Sequence, residues 1–235
     1  MIGDPVDDDA VAGDGVAEEA NTAPADIRVC PDAQTTFGID VSHHQGAIDW
    51  TKAKAGGVQF AFIRVSDGVS TRDRQFARNW SAAKAAGVIR GAYQFFRPAQ
   101  NVAAQAQLMI DAIGAKAAGE LPPVIDVEVD GGLAPATVAK RVQQWVDTVK
   151  AATGTTPIVY TAKYFWRDEV GNSATVAANP LWVANYTSRC PDIPTAWQDW
   201  TFWQSSATGS VPGSSGAVDM NKFNGTLSQL QTLTK

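Results

Sequence analysis

From residue 36 onward, short apolar runs alternate with amphipathic stretches, and this alternation restricts the fold more than any other feature of the chain. The candidate strands are TFGIDVS, QFAFIRVS, RGAYQFF, PVIDVEV, PIVYT, LWVANY, TFWQSS and AVDMNKF. Helical stretches follow the first five, at residues 50–55, 73–86, 102–117, 135–152 and 163–170. The fourth is the clearest: Val138, Val142, Trp145 and Val149 recur at spacings of 4, 3 and 4 along one stripe, and Pro135 suits a first turn. Strand followed by helix, repeated, builds a parallel sheet. Eight strands in a chain of 235 residues fit an α/β barrel better than an open sheet, with a final third made degenerate by the scarcity of helix between the last three strands.

Composition bounds the partners. The opening segment carries Asp4, Asp7, Asp8, Asp9, Asp14, Glu18, Glu19 and Asp26 and no Lys or Arg, so residues 1–33 are expected to form an acidic, disordered tether ahead of a barrel domain at 34–235. Without those 8 acids, 16 remain against 19 Lys and Arg, which turns a whole-chain charge of −5 into +3 for the domain. That charge is too small to argue for nucleic acid, and no basic cluster with interleaved aromatics supports it. No apolar run is long enough for a transmembrane segment, and the N-terminus lacks the basic start and apolar stretch of a signal peptide. If the protein is secreted or cell-envelope associated, its signal is absent from this sequence. Cys30 and Cys190 lie outside any metal-ligand spacing; one long-range disulfide is preferred over two free thiols, because it would tie the start of the domain to a late loop in an oxidising compartment.

Within the fourth strand, PPVIDVEVDGG places Asp126, Glu128 and Asp130 on one face and Ile125, Val127 and Val129 on the other. Alternation of this kind also marks a half-exposed strand with water on its acidic side. In a barrel, however, the fourth strand is interior, and functional groups gather at the carboxyl ends of strands. Those ends carry Asp40, then Arg64 and Asp67, Tyr93 and Gln94, Asp126 and Glu128, Asn185 and Tyr186, Gln204, and finally Asp219 and Asn221. Four carboxylates, Asp40, Asp126, Glu128 and Asp219, would then converge at one mouth. Crowding and partial burial raise a carboxyl pKa, which keeps one acid protonated as a donor, the requirement of glycoside cleavage. Tyr93, Phe95, Phe96, Tyr160, Trp182, Tyr186, Trp200 and Trp203 are expected around this mouth, where aromatic faces suit a saccharide.

The segments FGIDVSHHQGAIDW, GAYQFF, PPVIDVEVD, PIVYT, LWVANY, FWQ and VDMNKFNG, in this order and at this spacing, resemble the Chalaropsis-type lysozymes, glycoside hydrolase family 25, from about Thr36 to the C-terminus. The resemblance implies a modified TIM-like barrel with five β/α units followed by mostly strands. It implies a muramidase, a secreted lysozyme that cleaves the β-1,4 bond from N-acetylmuramic acid to N-acetylglucosamine in bacterial peptidoglycan. Matched position by position, Glu128 is the general acid, Asp126 its partner, and Asp40 and Asp219 the supporting acids. Substrate contacts are expected from Tyr93, Gln94, Arg64, Tyr160, Trp182, Tyr186, Trp203 and Gln204. Gln94 stands where the family often has His, and Arg64 where Lys is frequent.

Residues i and i+2 of a strand lie about 7 Å apart on one face, so Asp126 and Glu128 address a sugar from the same side. Two acids so placed do not readily flank an anomeric carbon, which favours substrate assistance: the 2-acetamido group attacks, Asp126 orients it, and Glu128 serves as acid and then base, with retention. His43 and His44 are not expected to bind metal, since neighbouring side chains on an extended chain point apart and no third ligand is near in sequence. No cofactor is expected, and the working form is expected to be a monomer. The rival functions are a catalytically silent glycan-binding barrel and a chitinase-like hydrolase.

Overall fold

The computed structural model describes residues 27–31, 34–114 and 117–234. In chain order the elements are β1 (Ile27–Arg28), β2 (Thr35–Val41), α1 (Trp50–Ala55), β3 (Phe60–Asp67), β4 (Thr71–Arg72), α2 (Phe76–Ala85), β5 (Ile89–Phe95), α3 (Val102–Ile113), β6 (Val124–Asp126), α4 (Pro135–Thr153), β7 (Ile158–Ala162), α5 (Lys163–Glu169), β8 (Leu181–Ala184), β9 (Asp192–Ile193), β10 (Phe202–Gly209), β11 (Val218–Asn224) and α6 (Leu227–Thr232). All eight expected strands form. They close in the order β2-β11-β10-β8-β7-β6-β5-β3, with β3 returning to pair with β2. Five β/α units precede a run of strands, as expected, and among the described residues no helix is long and apolar enough to cross a membrane.

Closure depends on one reversal. Every neighbouring pair from β2 round to β10 is parallel, whereas β11 runs antiparallel to both β10 and β2. Asp219 therefore enters at the amino end of its strand, not the carboxyl end, and still reaches the mouth, where it pairs in register with Asp40.

Strand alternation sorts side chains between the barrel interior and the helix layer. Phe60, Phe62, Val124, Ile158, Trp182, Phe202 and Phe223 fill the interior, and Leu230 of α6 packs against them. The opposite faces of the same strands carry Val65, Ala92, Ile125, Val159 and Val183, which meet the α3 and α4 stripes through Met109, Val138, Val142 and Trp145. A second outer cluster seats α1 and α2 on Ile39, Val41, Ala61 and Ile63 through Trp50, Ala53 and Ala83. The α4 helix starts on Pro135 and stops at Gly154, whose φ of 69° suits a residue without Cβ. The unanticipated α6 has a sequence signal, the capping box of Thr226 and Gln229.

The fourth strand is shorter than its alternation suggests. It ends at Asp126, although Val127 N–H still reaches the Tyr160 carbonyl at 2.9 Å. Asp130 belongs to a turn in which its carboxylate accepts from Gly132 N–H at 3.1 Å, so it does not share the acidic face.

The domain also begins earlier than residue 34. Ile27–Arg28 pairs antiparallel with Asp192–Ile193, Trp200 Nε1 donates to the Val29 carbonyl at 2.8 Å, and Cys30 and Cys190 form a disulfide with Cα atoms 4.6 Å apart. Residues 27–31 are thus part of the domain surface, while the acidic residues 1–26 lie outside the described residues. The unfolded, unreduced protein should show no reactive thiol and the reduced protein two, with reduction lowering stability by about 2–4 kcal/mol in denaturant melts.

Two glycines make room for the interior rings. A Cβ on Gly38 would stand 2.5 Å from the Phe60 ring, and one on Gly91 would stand 2.5 Å from the Phe62 ring. The rings have no slack to yield, because Phe62 already stacks on Trp182 at 4.3 Å and meets Phe202 edge-on at 5.0 Å. Gly91→Ala should therefore lower unfolding free energy by about 1–3 kcal/mol, the usual range for overpacking a filled core, measured by chemical denaturation.

Candidate active site

Polar side chains at or near the mouth ends of the strands line a cleft of ≈ 240 Å³ at the barrel mouth. Its walls include Asp40, Arg64, Tyr93, Asp126, Glu128, Tyr160, Trp182, Tyr186, Gln204 and Asp219. All four expected acids meet there. So do the expected contacts Arg64, Tyr93, Tyr160, Trp182, Tyr186 and Gln204.

Gln94 and Trp203 do not. Gln94 is fully buried on the outward face of β5, donating to Ser66 Oγ at 2.8 Å and accepting from Trp145 Nε1 of α4 at 2.7 Å. Trp203 faces the outer core, where its indole donates to the Asn185 carbonyl at 2.7 Å and Lys222 lies over its ring at 4.3 Å. Each is the neighbour of an inward residue, Tyr93 and Gln204, and so must point the other way. Phe96 and Trp200 belong to the same outer cluster, leaving Tyr93, Phe95, Tyr160, Trp182 and Tyr186 as the aromatic lining.

Asp40 is the most constrained carboxylate. Its Oδ2 accepts from Asn221 Nδ2 at 2.7 Å and from Gln204 Nε2 at 2.9 Å, in a site where Asp40 is only 4% exposed. Gln204 Oε1 in turn accepts from both Tyr160 and Tyr186 hydroxyls at 2.9 Å, and Asn221 Oδ1 from Trp182 Nε1 at 2.9 Å. Burial and the adjacent Asp219 push the Asp40 carboxyl up to about 8, so it keeps a proton at neutral pH. Asp219 is itself raised by burial, against the hydrogen bond it receives from Asp40.

Asp126 and Glu128 differ in setting. Asp126 is buried, and its pKa is raised well above the ordinary carboxylate range by desolvation, then by Glu128 and Asp40, with Arg64 opposing. Its Oδ1 has no hydrogen-bond partner among the described residues. Glu128 lies past the end of β6 at the open side of the cleft, and its carboxyl is raised by desolvation, then by Asp219 and Asp67, while Arg97 lowers it. Arg97 is held by Asp67 through two hydrogen bonds of 2.6 and 2.8 Å.

Asp73 anchors the loop after β2. It accepts from Arg64 Nε at 3.1 Å, from His43 N–H at 2.8 Å and from Gln75 N–H at 2.9 Å. His43 Nδ1 lies between the two partners, 2.5 Å from the Arg64 guanidinium and 3.3 Å from Asp73 Oδ2. His43 and His44 do not point apart: they sit in a turn, not on an extended chain, and their ring centroids are 4.1 Å apart. Sequence reasoning placed Asn221 at a strand end without giving it a role, and missed His44, Gln45 and Ser42 at the mouth and the supporting pairs Asp73–Arg64 and Asp67–Arg97. The clustering of Asp and Arg in SDGVSTRDR after β3 was the available signal.

Comparison with known proteins matches residues 39–214 to the glycosyl hydrolases family 25. A lysozyme of Streptomyces globisporus is 35% identical over 232 residues, covering 94% of this chain and 79% of that protein. An N,O-diacetylmuramidase of Chalaropsis is 33% identical over 214 residues, covering 85% of this chain and 99% of the relative. Among solved structures, the bacterial lysozyme from Streptomyces coelicolor superimposes with a TM-score of 0.81 at 37% identity, covering 86% of this chain and 98% of the other.

The charges around Glu128 predict opposite shifts in its titration. Asp219→Asn removes a negative neighbour and should lower the Glu128 midpoint. Arg97→Gln removes the opposing cation and exposes Asp67, so it should raise that midpoint. Carboxyl-carbon NMR titration of labelled glutamate, assigned with Glu128→Gln, reads both; equal midpoints in the two variants would contradict the arrangement.

Proposed function

The chain belongs to glycosyl hydrolase family 25 and is a peptidoglycan muramidase, and from the geometry of its acids we propose that it cuts the β-1,4 bond between N-acetylmuramic acid and N-acetylglucosamine by substrate-assisted catalysis. The observation that carries the mechanism is the unpartnered Asp126 Oδ1: a buried acceptor at the cleft floor suits the N–H of a 2-acetamido group. Glu128, raised in pKa and open to the cleft, is the proton donor to the leaving glycosidic oxygen. As that bond breaks, the acetamido carbonyl oxygen bonds to the anomeric carbon and positive charge spreads over the new ring. Asp126 accepts the N–H and meets that charge. The cation itself favours the ionised carboxylate, so the burial that raises Asp126 in the resting site is offset when the ring forms. Glu128, now a carboxylate, takes a proton from water, whose oxygen adds to the anomeric carbon as the bond to the acetamido oxygen breaks, reopening the ring to the neutral acetamide and restoring the original configuration.

Tyr93, Tyr160 and Tyr186 supply faces and hydroxyls for the glycan, with the buried Trp182 ring beneath them, and Tyr186, 62% exposed with its hydroxyl held by Gln204, forms the outermost of these. The disulfide suits secretion to an oxidising, wall-facing compartment.

Glu128→Gln should lower turnover by about 10²–10⁴-fold on purified peptidoglycan. Asp126→Asn should also be severe on acetylated glycan. On glycan carrying a free 2-amine, wild-type activity should nearly vanish and Asp126→Asn should add little, because the group it serves is gone. Comparable cleavage of the amine glycan together with a glycosyl ester trapped on Asp126 would identify that carboxylate as a nucleophile and reject substrate assistance.

A further inference from the structure

We infer that Asn221, oriented by Trp182, is a positioning residue that determines which oxygen of Asp40 carries its proton, so that Asp40 and Asp219 share one proton and leave one negative charge facing Glu128. The inference rests on Glu128 acting as the proton donor, and it is independent of whether Asp126 assists or attacks.

An indole N–H donates and cannot accept. Trp182 Nε1 lies 2.9 Å from Asn221 Oδ1, so the carbonyl end of this fully buried amide must face the indole and its NH₂ must face Asp40. The tyrosine hydroxyls on Gln204 have no such polarity, since a phenol both donates and accepts. Of the two amides on Asp40, Asn221 is the one whose direction is set from outside. With Asn221 at 2.7 Å and Gln204 at 2.9 Å both donating to Oδ2, that oxygen's lone pairs are filled and it cannot hold a proton. The proton of Asp40 belongs on Oδ1, from which it is donated to Asp219, the carboxyl opposite in register.

This placement governs the charge that Glu128 senses. Glu128 is faced by Asp219 of β11, Asp67 of β3 and Arg97 beyond β5, with Asp126 at the end of β6 beside it. Asp40 is faced by Asp219, by Asp126 of β6, and by Tyr93, Tyr160 and Tyr186 from β5, β7 and the end of β8. Arg64 of β3 borders the same groups. Held on Asp40 Oδ1, the shared proton leaves the negative charge on Asp219, where it helps Glu128 keep its own proton. If the Asn221 amide turns, its carbonyl meets Asp40 and draws the proton to Oδ2, Asp219 loses the hydrogen bond that holds it ionised and takes a proton from solvent, and Glu128 loses that support.

The test is the pH profile of kcat/KM on soluble muropeptides for Trp182→Phe, which keeps a ring but removes the N–H. The alkaline limb should move to lower pH by about half a unit, read as about a threefold loss above the optimum. In an Asp219→Asn background the same change should move the limb no further, since it acts through Asp219. Asn221→Ser, whose hydroxyl has no fixed direction, should reproduce the shift and carries the test if Trp182→Phe does not fold. A uniform loss of kcat across pH with the limb unmoved would reduce Trp182 to packing and overturn the inference. So would a shift that persists without Asp219. The premise is checked separately, because Glu128→Gln must abolish the alkaline limb, and failure there would reject the proton-donor assignment and not the clamp.

Discussion

The pairing of β11 against β2 is the constraint on which the rest of the structure depends. It is the seam that closes the barrel, and it is antiparallel while the other β2 seam, to β3, is parallel. The reversal sets Asp219 directly opposite Asp40 and carries Asn221 to the same carboxylate. In an antiparallel pair, opposite residues on one face have Cβ atoms about 4.5–5.5 Å apart, and like charges there repel. Sharing a proton removes that repulsion, so closure of the fold and protonation of the cluster are solved by one contact.

Below this polar layer the barrel is a filled aromatic core, not a channel. Phe60, Phe62, Phe202, Phe223 and Trp182 interlock at centroid distances of 4.3 to 5.8 Å, and glycines at 38 and 91 give way to them. Trp182 belongs to both layers. Its ring stacks on Phe62 while its N–H supports Asn221. The rigidity of the core is thereby transmitted to the hydrogen bonds on Asp40, and the acids are desolvated because the floor beneath them is apolar.

Much of the fold was legible along the chain. The eight strands and the first five helices follow from hydrophobic periodicity and from signals such as Pro135, because the barrel satisfies those periods locally. The acids were legible because charges inside apolar strand patterns need a reason. Two site assignments failed on a rule already present in the sequence: Tyr93 and Gln94 are adjacent, as are Trp203 and Gln204, and neighbouring strand residues cannot share a face. The alternation says that one of each pair enters the mouth. Which one depends on the phase of the strand against its partners, and Trp145 and Asn185, which receive Gln94 and Trp203, come from distant parts of the chain.

The sequence by itself determined the element types, the barrel class and the set of four carboxylates, since each rests on local periodicity or on residue chemistry. Only the tertiary structure decided the direction of β11, the end of β6 before Glu128, and the hydrogen-bond chain from Trp182 through Asn221 to Asp40. These are relations between residues separated by tens to well over a hundred positions, and their geometry exists only once the barrel has closed. The same holds for the acidity of the cluster. A carboxyl's chemistry is written in its residue type, but its pKa is set by desolvation and by neighbours that folding brings within reach.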